Sequence, residues 1–103
     1  SPSTESLFKI RQEISYNMKE FDKLIKDKKF IQSFGEVLGE KNKQIPKEFI
    51  EDAKTQPLIC NKQFYFWKEY SADLICSDKL MDTIIADFKT ILPLNQFFRR
   101  AME

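Results

Sequence analysis

Along the first quarter of the chain, apolar residues recur at steps of three and four: Leu7, Ile10, Ile14, Met18, Phe21, Leu24 and Ile25. That spacing places them on one stripe and predicts an amphipathic helix of about six turns. Ser3-Thr4-Glu5 suits its start, a hydroxyl cap followed by an acid in the first turn. Lys9, Glu13, Lys19, Glu20 and Lys23 fall mostly off the stripe and form a solvated face. Asp27 then caps a short helix carrying Phe30, Ile31 and Phe34, with Gly35 as its left-handed terminus. Residues 36–48 read as a loop punctuated by Gly39 and Pro46. Phe49–Lys54 is expected to make one or two helical turns before Pro57 ends them.

The pattern changes period at Lys62–Tyr70, K-Q-F-Y-F-W-K-E-Y. Gln63–Tyr70 is the expected strand within it: alternation puts Phe64 and Phe66 on one face, and Tyr65 and Trp67 on the other. Both faces are apolar, as in a strand covered on two sides. Its backbone needs partners, and residues 43–49 or 57–61 are the candidates within the chain. Ser77 is expected to cap a fourth helix with the stripe Leu80, Met81, Ile84, Ile85, Phe88 and Leu92, broken by Pro93. Pro93–Met102 then makes a last short helix with Leu94, Phe97 and Phe98. The expected fold is α+β and helix-dominated: about four helices packed on a single strand or small sheet, with residues 1–103 as one domain. Phe64 and Phe66 are expected to pack on Ile14 and Phe21 of the first helix and Ile84 and Phe88 of the fourth.

Composition narrows the chemistry. With 17 Lys+Arg against 16 Asp+Glu the net charge is +1, which argues against a nucleic-acid binder. There is no histidine, so Ser-His and Cys-His nucleophile pairs are excluded. Two cysteines without histidine fall short of a structural zinc site, and no metal or cofactor is expected. Cys60 and Cys76 are read as reduced, buried hydrophobes in a cytoplasmic protein. Two glycines leave no glycine-rich phosphate loop. No apolar run reaches the ~20 residues of a membrane span, and Ser1–Glu5 lacks a signal-peptide pattern.

An ordered series of short stretches carries a family resemblance. I-R-Q-E-I (Ile10–Ile14) leads to Tyr16-Asn17 and Phe21, then Phe34-Gly35, Gly39-Glu40-Lys41, Pro46-Lys47, Phe49 and Lys62-Gln63-Phe64. Pro93-Leu94-Asn95 and Phe98 close it. The series resembles the C-terminal half of DUF2461, a bacterial and fungal family of unknown function. The resemblance implies members about twice this length, whose first half carries the more site-like residues, and it implies no assigned activity. Where this chain has P-K-E-F and E-D-A-K-T-Q-P, the family pattern has Pro-Lys-Gly-Phe and often Asp-His-Pro.

Three readings of function remain. One is a non-catalytic packing and binding module, in which Tyr65 and Trp67 meet the preceding half of the same protein or a second copy. The second is an enzyme subdomain lending Arg11, Lys41, Lys43, Lys47 and Lys62 to an anionic substrate. A solvated lysine-rich loop is the plainer account of those residues, and for Arg11 a structural ion pair. The third stacks bases on Tyr65 and Trp67, with phosphates near Lys62 and Lys68, and the net charge disfavours it. No spacing of acids demands a carboxylate dyad. Arg99-Arg100 is expected to face the negative end of its own helix.

Overall fold

Side chains that bond to nearby backbone decide where three of the six described α-helices begin. The computed structural model describes residues 3–103. Ser3 accepts from the amide of Ser6 and starts α1 (Thr4–Tyr16). Asp27 accepts from Phe30 and starts α3 (Lys28–Phe34), which Gly35 ends at φ 82°. The long first helix expected from the stripe is two helices. At Asn17 the backbone leaves helical geometry (φ −133°, ψ 45°), and α2 (Met18–Ile25) follows. The Asn17 amide group donates to the backbone oxygen and the carboxylate of Glu13. A short polar side chain thereby competes with the helical ladder. Ile10, Ile14 and Phe21 remain buried across the break.

The α+β expectation is corrected: the described residues contain six α-helices and no strand or sheet. Lys62–Tyr70 is extended, but it touches the loop after α3 only at isolated bridges. Leu38 and Tyr65 exchange both backbone bonds (2.7 and 3.1 Å), and Lys41 pairs with Asn61. The pairing partner is therefore residues 38–42, not 43–49 or 57–61. Phe64 and Phe66 do turn inward, though onto other rings than expected. Phe64 packs on Phe98, and Phe66 on Phe30 and Phe34. The inward-facing aromatics are held by side-chain contact, so the ladder need not continue.

Lys47–Phe49 forms a short 3-10 turn before α4 (Ile50–Thr55), and Pro57–Cys60 forms another after it. Ser71, not Ser77, caps the next helix, α5 (Ala72–Ile75). Ser77 ties the following turn instead: its hydroxyl donates to the Leu74 carbonyl and accepts from the Lys79 amide. Then α6 runs unbroken from Leu80 to Ala101 with Pro93 inside it. The expected break fails because Leu94, Phe97 and Ala101 beyond the proline are all seated in the core. Pro93 itself is exposed, on a side where water can satisfy the carbonyl it leaves without a donor.

The second half of α6 lies against α1, α2 and α3. Its first half does not join the core. Met81 (63% exposed), Ile84, Ile85 and Phe88 (58% exposed) share one uncovered face. The body measures 51 × 25 × 23 Å and its radius of gyration is 15.4 Å, against about 13 Å for a compact chain of this length. The excess belongs to this arm, residues 71–86, where every side chain is exposed or half-buried.

Candidate functional site

Arg11 follows Ile10 on the inner side of α1 and is 5% exposed. Its Nε donates to the Ile59 carbonyl at 2.7 Å and its Nη2 to that of Asn61 at 3.2 Å. The carboxylate partner expected for it is replaced by these two carbonyls, which belong to the turn after α4. Burial lowers the Arg11 pKa from the ordinary guanidinium value, opposed by the neighbouring Cys60. Lys41 comes to the same place from the other side: its Nζ donates to Asn61 Oδ1 at 2.7 Å and to the Pro57 carbonyl at 3.3 Å. Asn61 is thus the hub, 1% exposed, with its Nδ2 unpartnered beside Gly39. Nothing in residue type or spacing marks Asn61 in the sequence. Its role arises from three segments meeting.

The other three basic residues do not join this hub through any bond. Lys43, Lys47 and Lys62 are exposed, and their side chains make no hydrogen bond or ion pair among the described residues. Lys43 stands at the edge of a shallow cleft with Ile45, Ile50 and Cys60. Tyr65 and Trp67 are exposed on the side of the extended segment away from the core. Trp67 lines a cleft with Ser33, Phe34 and Leu38.

A polar cluster that sequence reasoning missed holds the far end of that segment to α6. Lys68 Nζ donates to both carboxylate oxygens of Asp87, at 2.9 and 2.7 Å, and the Tyr70 hydroxyl donates to Asp87 Oδ2 at 2.8 Å. Burial pushes the Asp87 pKa up, but the bonds from Lys68 and Tyr70 more than offset it and leave it below the ordinary carboxylate value. The bond to Asp87 raises the Tyr70 pKa, so this phenol is poorly suited to act as a base. The cluster reads as a clamp. The only hint in the sequence is one acid on the inner side of an otherwise apolar helix.

A cleft of about 540 Å³ lies between α1, the extended segment and the end of α6. Ile10, Phe64, Phe98 and Met102 give it an apolar floor, and Gln63, Asn95 and Arg99 its polar edge. Arg99, in the last turn of α6, also lines this cleft. Arg100 turns the other way, to Glu13 at 3.1 Å and Glu20 at 2.8 Å. Both stand in the last turn of α6, where a cation was expected to meet the helix's negative end. Among the described residues no helix is long and apolar enough to cross a membrane. Nor is any group of three or more His, Cys, Asp or Glu placed to hold a metal ion.

These features define a small helical domain with a structural arginine hub and an uncovered arm. The chain belongs to DUF2461, described as a conserved hypothetical protein family, whose profile matches residues 1–97. The family is one of unknown function. No curated protein and no solved structure matches the chain.

Proposed function

We propose that this domain is a non-catalytic packing and binding module that docks through the apolar face of its α6 arm. The observation that carries the reading is the run Met81, Ile84, Ile85 and Phe88. It repeats at i, i+3, i+4 and i+7, yet all four are exposed. Such a stripe normally faces a partner surface. The occupant is the preceding half of the longer protein that the family resemblance implies, with Tyr65 and Trp67 as a second contact. A cytoplasmic setting completes the reading, and two free cysteines suit it.

Support for the enzyme-subdomain reading is weaker. Two of the five cations it needs, Arg11 and Lys41, already donate to protein oxygens.

Hydrogen exchange of residues 80–88 tests the docking reading, measured in this chain and in a longer chain that includes the preceding half. Protection that rises in the longer chain, and falls back on Ile84→Asp with Phe88→Asp, supports it. Equal exchange in both chains refutes it.

A further inference from the structure

Arg99 and Arg100 are neighbours with opposite employment. Arg100 binds Glu13 and Glu20 and lies over the Phe97 ring. The Arg99 side chain makes no hydrogen bond or ion pair among the described residues, and it stands at the edge of the 540 Å³ cleft. Asn95 is one turn earlier on the same face of α6. Asn95 also lines the cleft, and its side chain makes no hydrogen bond among the described residues. Gln63, the third polar group, is already engaged: it accepts from the Glu40 amide at 2.9 Å and donates to the Glu40 carboxylate at 3.3 Å. The cleft thus offers an apolar bed of Ile10, Phe64 and Phe98, with one guanidinium and one amide donor at its edge.

A guanidinium presents a planar fork matched to a carboxylate, and an amide donor one turn away adds a third bond. The apolar bed selects for the body attached to that head. A cleft of this volume is within the range that holds small organic ligands. We infer that it binds a small carboxylic acid with an apolar body, the carboxylate on Arg99 and Asn95 and the body on Phe64 and Phe98. This goes beyond the docking reading and is independent of it. Arg99 lies eleven residues beyond Phe88, about 16 Å along the helix, so either can fail alone.

Octanoate is the probe, octanamide its uncharged counterpart, followed by amide chemical shifts of the chain. The expected result is saturable shifts at Phe64, Asn95, Arg99 and Met102 with octanoate, and binding at least about tenfold weaker for octanamide. Arg99→Gln should remove that preference, and Arg99→Lys should keep part of it. The octanamide comparison needs no substitution, so it decides even where a variant fails to fold. Equal binding of acid and amide overturns the inference. So does the absence of saturable shifts at the cleft, or shifts confined to residues 81–88.

Discussion

Lys68 and Asp87 meet as a two-pronged ion pair, with the ammonium 2.9 and 2.7 Å from the two carboxylate oxygens. The pair joins the end of the extended segment to α6 at the point where that helix leaves the body. The Asp87 side chain is 10% exposed and that of Lys68 25%, so solvent screens the pair only in part.

Replacing Asp87 with Asn should cost about 1–2 kcal/mol at neutral pH, because a partly buried ammonium and phenol lose a charged acceptor. The folded-state pKa of Asp87 is lowered. Its contribution is therefore fully present above the ordinary carboxylate value and lost as pH falls through the folded value. Urea unfolding of the parent and of Asp87→Asn should differ at pH 7 and converge in acid. A difference that stays constant into acid would show that the ion pair is not its source.

The two glycines should respond differently to alanine. A Cβ at Gly39 would land on the Gln63 carbonyl oxygen and 2.7 Å from Asn61 Nδ2. Gly39→Ala should lose about 3 kcal/mol or more, or fail to fold. At Gly35 a Cβ meets nothing within 4 Å, and only the positive φ of 82° opposes it. Gly35→Ala should lose about 1–2 kcal/mol. Thermal melts of both variants give the order directly, and the reverse order would contradict the close approach at Gly39.

Arg11 holds two carbonyls with one fork, which a lysine cannot reproduce. Arg11→Lys should destabilise by about 1–3 kcal/mol, since at least one buried carbonyl loses its donor. Chemical denaturation measures this. A fully stable Arg11→Lys chain would return Arg11 to the list of available cations.

The expectation of two buried thiols is corrected by position: Cys76 is exposed at the turn after α5, and Cys60 is half-buried beside the Arg11 hub. Modification by a neutral disulfide reagent at pH 7 should therefore be biphasic, Cys76 reacting well before Cys60. A single slow phase for both would mean that the arm is covered in solution.

Several features were legible because they depend on residues within one turn of each other. Ser3 and Asp27 bond amides three residues on, and Gly35 takes the one backbone region that favours glycine. The stripe from Ile10 to Phe21 was legible for the same reason. A partial miss such as Asn17 is local too, but a helix-compatible pattern ran straight past it.

Tertiary contact decided the rest. Lys62–Tyr70 has the composition of a strand, but a sheet needs backbone donors and acceptors from far along the chain. Residues 38–42 supply only isolated bridges. Pro93 has the local power to end a helix, yet Leu94, Phe97 and Ala101 are packed beyond it and hold α6 together. Arg11 and Asn61 are fifty residues apart, and no local pattern ties a guanidinium to those carbonyls. The sequence by itself determined where the backbone is satisfied by near neighbours. Which apolar and charged groups are covered, and by what, was decided only when distant segments met, because burial is a property of the whole fold.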